Sequence, residues 1–373
     1  MRAPLPPGST IGILGGGQLG RMSALAAAGL GYRCHVFAPE ADSPAMQVAA
    51  ARTVAPYEDA AALAAFAAAV DVVTFEFENV PAATLDALAP LVPCRPGVEA
   101  LRIGQDRILE KRFFERSGLP VGPWREVATR EALDAAVAEL GLPAVLKTTR
   151  LGYDGRGQAV LRGPADLDAA WARLAPRPLI LEAFIPFERE VSAIAARGAD
   201  GAVVTFDATE NRHSRHILDL SIAPAPVPGA VAAAARGHVA QLAGQLGLVG
   251  LLALEMFLLP DGSLLANEMA PRPHNSGHWT IDACLFGQFA LHVRAVAGLP
   301  LPQPQRHHDA VMKNLVGPEA FAAWADLAAM PDVALHLYGK GEAREGRKLG
   351  HATRLLPLGS VATAGDAGLL SPV

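Results

Sequence analysis

Residues 147–158 read Lys-Thr-Thr-Arg-Leu-Gly-Tyr-Asp-Gly-Arg-Gly-Gln, directly after the apolar run 142–146. The run predicts a buried strand, so a lysine and a glycine-rich loop follow the end of a strand. Glycines let a backbone come close to a ligand and point N–H groups at oxygen anions, and lysine adds a compact positive charge. The stretch therefore predicts a phosphate-binding loop. A surface hairpin is the alternative, because Gly-Tyr-Asp-Gly also favours turns.

Lysine is rare in this chain, which favours a chemical role for Lys147. Of the 32 Lys and Arg residues, five are lysine, at positions 111, 147, 313, 340 and 348. A chain that otherwise uses arginine places a lysine directly after a buried strand, beside the glycine-rich loop. This observation favours the phosphate-binding interpretation over the hairpin.

The composition bounds the class of protein. The 373 residues are 51% hydrophobic and 18% charged, which is typical of a globular chain with two or three domains. The net charge is -5 and no block of like charge occurs, so neither nucleic acid nor a membrane is expected as a partner. Cys34, Cys94 and Cys284 have no metal-binding spacing, and the start of the sequence lacks the apolar run of a signal peptide. We therefore expect a cytoplasmic protein.

The N-terminal segment predicts a Rossmann-like layer over residues 1–95. A strand at 10–14 leads into Gly-Gly-Gly-Gln-Leu-Gly at 15–20, then a helix at 21–30, a strand at 33–38 and the acids Glu40 and Asp42. This order matches the dinucleotide fingerprint. The alternatives are a tight turn that binds nothing and a loop that binds a different phosphate. A P-loop is excluded, because Arg21-Met22 stands where Lys-Ser/Thr is required.

Acidic residues follow two further predicted strands. Glu76 directly follows the predicted strand 70–75, at the carboxyl end of the strand, where open α/β sheets bind ligands. A solvated strand end is the alternative. The strand 178–182 runs into Glu182-Ala183-Phe184-Ile185-Pro186, which suits a hinge that holds an adenine, with Glu190 just beyond for ribose hydroxyls. A buried strand end that binds nothing is the alternative here.

A predicted hairpin brings two glutamates together. Strands 251–259 and 263–268 flank Pro260-Asp261-Gly262, and a two-residue turn at Asp261-Gly262 pairs Glu255 with Glu268. Like charges directly opposite each other are unfavourable, so a cation is expected, and oxygen ligands favour Mg²⁺. A bulged turn would instead place Asn267, another oxygen ligand, opposite Glu255. A solvated pair of glutamates is the alternative to the metal.

The last third of the chain is rich in donors. The loop 269–279 follows the hairpin and precedes a predicted helix at 282–297, and a proline-rich boundary lies near 299–304. The tail carries short strands at 311–315 and 333–338 and four cations within 340–348. These cations indicate either a solvated turn or a phosphate clamp.

Together the motifs resemble those of the ATP-grasp enzymes, and among them the ligases that carboxylate 5-aminoimidazole ribonucleotide in purine biosynthesis. The resemblance extends almost from end to end and depends on segments 15–22, 75–81, 152–158, 267–272, 274–279 and 346–351. It implies an α/β and α+β chain with a Rossmann-like domain at 1–95, an ATP-grasp domain at 96–302 and a small C-terminal β-rich domain at 303–373. The small lobe of the grasp would span about 120–185.

The resemblance also implies the site residues. Residues expected to contact ATP are Arg107, Lys147, Gly152, Tyr153, Asp154, Gly155, Arg156, Gly157, Gln158, Glu182, Ala183, Phe184, Ile185, Glu190, His213, Asn267 and Glu268. Residues expected to hold the ribonucleotide are Gln18, Leu19, Glu76, Tyr153, Arg156, Arg272, His274, Asn275, Ser276, Lys340, Arg347 and Lys348. Glu255 and Glu268 would bind one or two Mg²⁺ ions. Lys147, Asp154, Arg272 and His274 would be catalytic.

The implied reaction starts when bicarbonate attacks the γ-phosphate of ATP to form carboxyphosphate. The amine of the ribonucleotide then captures the carboxyl group, or the CO₂ released from it, and Asp154 orients that amine. A homodimer is expected. The rival hypotheses are another ATP-grasp ligase, such as a formate-using transformylase or a biotin carboxylase-like enzyme, an NAD-dependent dehydrogenase, and a non-catalytic binding protein. The loop 274–279 and the segment 346–351 argue against another ATP-grasp ligase. Lys147, Glu255 and Glu268 argue against a dehydrogenase and against a non-catalytic binding protein.

Overall fold

A computed structural model describes residues 3–152 and 157–361. The predicted site residues Tyr153, Asp154, Gly155 and Arg156 lie outside the described residues. Within the described ranges, no helix has both the length and the apolar character needed to cross a bilayer.

The N-terminal layer is a parallel four-stranded sheet of order β3-β2-β1-β4. Its elements are β1 (Thr10–Leu14), α1 (Gln18–Gly29), β2 (Arg33–Ala38), β3 (Ala51–Val54), α2 (Ala60–Ala68), β4 (Val72–Phe75), α3 (Ala82–Leu88) and α4 (Val98–Gln105). All four residues of β4 are buried, as expected for a parallel sheet that is covered on both faces. The predicted helix 21–30 begins three residues early, at Gln18, because the glycine loop turns directly into the helix.

The small lobe is an antiparallel sheet of order β5-β8-β6-β7. After α5 (Arg107–Arg116) come β5 (Trp124–Val127), α6 (Arg130–Leu140), β6 (Ala144–Thr148), β7 (Gln158–Leu161), α7 (Leu167–Leu174) and β8 (Leu179–Ala183). The alternate residues Ala144, Leu146 and Thr148 of β6 are buried, whereas Val145 and Lys147 face the other side. This period of two directs Lys147 away from the small-lobe core.

A nine-stranded sheet carries the large lobe and continues into the C-terminal segment, in the order β14-β13-β9-β11-β12-β15-β17-β16 with β10 beside β9. Its elements are β9 (Arg189–Arg197), β10 (Val203–Thr205), β11 (Thr209–Ser214), β12 (Ile217–Ala223), α8 (Gly229–Gln245), β13 (Gly250–Leu258), β14 (Leu264–Ala270), α9 (Thr280–Ala283), α10 (Gln288–Ala297), β15 (Asp309–Val316), α11 (Gly317–Ala322), α12 (Trp324–Ala329), β16 (Val333–Leu337) and β17 (Lys348–Leu356). The C-terminal strands therefore extend the large-lobe sheet, because β15 pairs with β12.

One helix prediction is wrong, because the helix predicted over 282–297 is two helices, and α10 begins after its N-cap residue Gly287. The polar segment 209–213 forms strand β11, which lies between β9 and β12. Segment 92–96 contributes a single bridge, between Val73 and Cys94.

Candidate active site

A cleft of about 470 Å³ lies between the small lobe and the large sheet and also reaches α4, α5 and β17. Predicted site residues that line it are Arg107, Lys147, Gly152, Gln158, Glu182, Ala183, Phe184, Ile185, Glu190, His213, Glu255, Asn267, Glu268, Arg272, His274, Asn275 and Lys348. Predicted residues that lie outside its lining are Gln18, Leu19, Glu76, Gly157, Ser276, Lys340 and Arg347. The structure thus brings the predicted metal residues and, among the described residues, the predicted nucleotide residues other than Gly157 into one cavity.

Lys147 forms an ion pair with Glu182 across neighbouring strands of the small lobe. The strands β6 and β8 place Val145 opposite Glu182, so Lys147 reaches Glu182 diagonally. Burial lowers the pKa of Lys147, and Glu182 opposes that effect. Burial alone would raise the pKa of Glu182, but Lys111 and Lys147 hold it far below its usual range. Glu182 is therefore an anion that two ammonium groups share.

The chain directly after Glu182 is the segment predicted to act as a hinge. Ala183 N–H donates to Pro123 O at 2.9 Å, and Phe184 N–H donates to Pro143 O at 3.2 Å. Phe184 is 48% exposed and lines the cleft, so an apolar ring is available to a ligand. These contacts fix the hinge backbone beside an open apolar wall, which suits a flat heterocycle.

The hairpin pairs Glu255 with Glu268, as predicted, but by a different route. Leu258 pairs with Leu264 and Leu259 N–H donates to Ser263 O, so the turn has three residues, 260–262, and not two. That register would place Asn267 opposite Glu255. A β-bulge at Asn267 adds one residue to β14 and restores the pairing of Glu255 with Glu268.

The two facing carboxylates differ in charge. Burial and the nearby Glu268 raise the pKa of Glu255 to about 8. Burial also acts on Glu268, but Arg107, whose Nη1 lies 3.2 Å from Glu268 Oε2, holds the pKa of Glu268 below its usual value. A bound divalent cation would let both carboxylates ionise, so the pair fits a metal such as Mg²⁺.

A second group of possible metal ligands adjoins the first. Glu190, His213 and Glu255 offer ligand atoms within 4.8 Å of one another. His213 Nδ1 lies 2.7 Å from Glu190 Oε2. Burial lowers the pKa of His213, but Glu190 more than compensates, so the net pKa is raised. His213 and Glu190 therefore form a hydrogen-bonded pair beside the carboxylates, in which Glu190 favours the protonated form of His213.

The donor-rich loop 272–276 lines the opposite wall. Arg272 Nε donates to Glu78, and Glu78 has a lowered pKa because Arg272 outweighs the effect of burial. His274 Nδ1 lies 2.9 Å from Ser276 Oγ, and its Nε2 lies 3.2 Å from Glu255 Oε1. Burial and Arg272 lower the pKa of His274 to about 3, so the ring is neutral. Ser276, which is fully buried, orients His274 from behind.

Asn275 has an unsatisfied side chain in this wall. Both its Oδ1 and its Nδ2 are buried and have no hydrogen-bond partner in the structure. Buried amides are rarely left unpaired, so such an amide in a cleft wall is suited to a polar ligand.

Glu76 occupies the start of α1. Its carboxylate accepts hydrogen bonds from Gly17 N–H and, at 2.8 Å, from Gly20 N–H. Gly15 has a φ of 105°, and a Cβ there would lie 2.5 Å from Glu76 Cγ, so the glycines make room for this side chain. The helix end thus holds an internal carboxylate, with Gln18 and Leu19 in its first turn.

The C-terminal cations divide between the cleft and its surroundings. Lys348, at the start of β17, lines the cleft, and its charge acts on Glu255 and His274. Lys340 lies over the Tyr338 ring at 5.6 Å, and its charge acts on Glu76. Arg347 Nη1 donates to Glu342 O at 3.0 Å. The clamp predicted from these cations stays a prediction.

Three family models match the chain in succession. The ribonucleotide synthetase preATP-grasp domain matches residues 9–105, the ATP-grasp domain 112–289, and the phosphoribosylaminoimidazole carboxylase C-terminal domain 310–357. The N5-carboxyaminoimidazole ribonucleotide synthase of Brucella melitensis is 51% identical over 358 residues, which cover 95% of this chain and 99% of that protein. The chain belongs to the N5-carboxyaminoimidazole ribonucleotide synthase family.

Solved structures of this synthase family share the architecture. An N5-carboxyaminoimidazole ribonucleotide synthetase in complex with ADP superposes with a TM-score of 0.93 at 44% identity, covering 97% of this chain and 96% of that chain. The Aspergillus clavatus enzyme in complex with ADP and 5-aminoimidazole ribonucleotide gives a TM-score of 0.88 at 32% identity, with 94% of each chain covered. The predicted ATP-grasp fold and ligase class are confirmed.

Sequence reasoning did not assign several residues that line the cleft of this synthase family member, three of them ionisable residues that bear on its charge. Glu78, Glu110 and Lys111 line it. Glu78 lies two residues after Glu76, and this closeness to a predicted site residue was a signal for it. The rarity of lysine in the chain was a signal for Lys111. Glu110 and Lys111 lie three and four residues after Arg107, which places all three on one face of a helix. That spacing was the signal that could have found Glu110.

Proposed function

We propose that the protein carboxylates the amine of 5-aminoimidazole ribonucleotide at the expense of ATP and bicarbonate. The products are 5-carboxyaminoimidazole ribonucleotide, ADP and phosphate, in purine (IMP) biosynthesis. One observation supports this most strongly: in a chain of this family, one cleft holds the phosphate lysine, the facing glutamates and the donor loop. The likeness to an enzyme solved with ADP and the ribonucleotide supports the same substrates.

The nucleotide enters beside the hinge Glu182–Ile185, with its phosphates toward Lys147. Mg²⁺, one or two ions held by Glu255 and Glu268, would neutralise phosphate charge when bound. Arg107 and Lys147 stabilise the charge that develops on the transferred phosphoryl group. Bicarbonate attacks this group to form carboxyphosphate.

The second half of the reaction occurs at the donor loop. Asn275 offers its unpaired amide to the ribonucleotide, and Arg272 is held in place by Glu78. Neutral His274 accepts through Nδ1 from Ser276, so its Nε2–H points at Glu255 Oε1, 3.2 Å away. We therefore assign His274 a role as an orienting donor. The role of Asp154 in orienting the amine stays a prediction. The same holds for the role of Gln18, Leu19, Lys340 and Arg347 as phosphate ligands, and for a homodimer in the cytoplasm.

The test is ADP release with ATP, Mg²⁺ and bicarbonate, with and without the ribonucleotide. We expect ADP formation that requires bicarbonate and is strongly stimulated by the ribonucleotide. Glu268→Gln should abolish it, whereas Glu139→Gln, which removes an exposed carboxylate paired with Arg125, should not. ADP release indifferent to the ribonucleotide would point to another acceptor. Absence of ADP together with NADH turnover would contradict the proposal.

A further inference from the structure

Helix α5 presents three ionisable residues to the cleft, and one of them is a deeply buried lysine. Arg107, Glu110 and Lys111 lie on one helix face, and Lys111 is 3% exposed. A lysine is almost never this buried without partners that compensate its charge. The partners of Lys111 therefore indicate what it does.

Lys111 connects the two lobes. Its Nζ donates to Asn267 O at 2.9 Å, at the bulge beside Glu268, and lies 3.3 Å from Glu182 Oε1. Glu182 Oε1 is buried and receives no directed hydrogen bond in the structure, so Lys111 acts on it by charge. The other oxygen of Glu182 accepts from Lys147. One buried carboxylate thus faces two ammonium groups.

The two lysines differ in how firmly they are held. Lys111 has a backbone carbonyl as a second partner, and 4% of its side chain is exposed. Lys147 stands just before the glycine-rich loop with 14% of its side chain exposed. A phosphate that draws Lys147 away would leave Glu182 buried and unpaired unless another cation stayed, and such a charge is strongly destabilising.

We propose that Lys111 is the permanent counter-ion of Glu182 and thereby frees Lys147 to exchange its carboxylate for the nucleotide phosphate. Lys111 is a positioning residue, because it acts through Glu182 and Lys147. The inference rests on the proposed function only in that a nucleotide phosphate approaches Lys147. It does not depend on which acceptor is carboxylated.

The test measures equilibrium binding of ADP and of adenosine by titration calorimetry, without Mg²⁺. Lys111→Met should weaken ADP binding about tenfold, because Glu182 then retains Lys147, and should change adenosine binding less than twofold. In the Glu182→Gln background, Lys111→Met should change ADP binding less than twofold. Lys313→Met, which removes a lysine paired with Asp219 at 2.9 Å outside the cleft, is the matched control and should bind ADP as the wild type does.

Several results would overturn the inference. An equal loss of ADP affinity in both backgrounds would mean that Lys111 acts on the nucleotide directly. An equal loss of affinity for adenosine, or an equal loss in Lys313→Met, would mean general destabilisation. An unchanged ADP affinity would mean that Lys111 has no role in nucleotide binding.

If Lys111→Met does not fold, the Glu182→Gln variant alone tests the inference. It should raise the ADP-to-adenosine affinity ratio by freeing Lys147, and a lowered ratio would contradict the proposal. Ribonucleotide-stimulated ADP release tests the proposed function separately.

Discussion

If Glu255 binds Mg²⁺ as proposed, it couples metal binding to pH. Its pKa in the folded protein is raised to about 8, against an ordinary value of 4.5. The folded state therefore keeps a proton that the unfolded chain releases between these values. The contribution of this proton to the free energy of unfolding is fully present below about pH 4.5 and is lost as the pH rises through about 8. A metal ion needs the deprotonated form, so Mg²⁺ must displace this proton below pH 8.

We predict that Mg²⁺ raises the unfolding temperature of the nucleotide-free protein more at pH 8 than at pH 6. One displaced proton corresponds to about a tenfold change in metal affinity per pH unit in this range. Thermal unfolding in Mg²⁺ and in EDTA at several pH values measures the effect. Glu255→Gln should abolish it, whereas Glu139→Gln, which alters an exposed carboxyl paired with Arg125, should retain it. A pH-independent Mg²⁺ effect would contradict the prediction.

At the scale of the element, helix α5 holds the bulged strand β14 at three successive residues. Lys111 binds Asn267 O, Arg107 binds Glu268, and Glu110 Oε1 accepts from Met269 N–H at 2.7 Å. A bulge leaves its backbone groups without regular ladder partners, so these contacts stabilise it. The helix therefore fixes the position of Glu268, one of the two carboxylates proposed to bind Mg²⁺.

We predict that Glu110→Ala lowers the free energy of unfolding by about 2–4 kcal/mol, because it leaves a buried N–H unpaired and opens a cavity. Glu110→Gln should cost less than about 1 kcal/mol. Burial raises the pKa of Glu110 to about 8, so its carboxyl group is protonated at neutral pH. A glutamine amide has the same shape and keeps an oxygen that can accept from Met269 N–H. Urea unfolding of both variants checks this. Equal losses would show that the charge, and not the acceptor, matters.

The hairpin also shows how far sequence reasoning reaches. The facing glutamates were predicted from the strand period and a two-residue turn, which are local properties, but the turn has three residues and a bulge restores the pairing. The position of the bulge was not predicted, and its contact with Lys111 joins residues that are 156 positions apart in sequence. The use of the glycine loop to hold Glu76 was hidden for the same reason, since the two segments meet only in the tertiary structure. Local periodicity predicted most strands and helices, whereas contacts between distant segments define the site.

At the scale of the whole molecule, the C-terminal strands share a core with the large lobe. Met312 of β15 is fully buried in a cluster with Ile194, Phe206 and Trp279. Leu327 of α12 instead packs in a separate cluster with residues of the C-terminal segment, Leu315 and Ala352. The sequence boundary near residue 303 thus does not mark an independent core.

We predict that Met312→Ala lowers stability by about 2–4 kcal/mol and weakens amide protection in β9 as well as in β15. Leu327→Ala should weaken protection in the C-terminal segment and leave β9 unchanged. Hydrogen exchange followed by mass spectrometry distinguishes the two. If Met312→Ala loosens the C-terminal strands alone, the shared core does not couple them.

The pairing of cations with carboxylates inside the cleft has a kinetic consequence. Among the described residues, such pairs include Arg107–Glu268, Lys147–Glu182 and Arg272–Glu78. Because each of these pairs is nearly neutral at a distance, its cation adds little to the long-range field and attracts a polyanion strongly only once the carboxylate is displaced. These three cations should therefore contribute to nucleotide capture through an exchange of partners after entry, whereas Lys111, the second cation on Glu182, adds a net charge to the cleft.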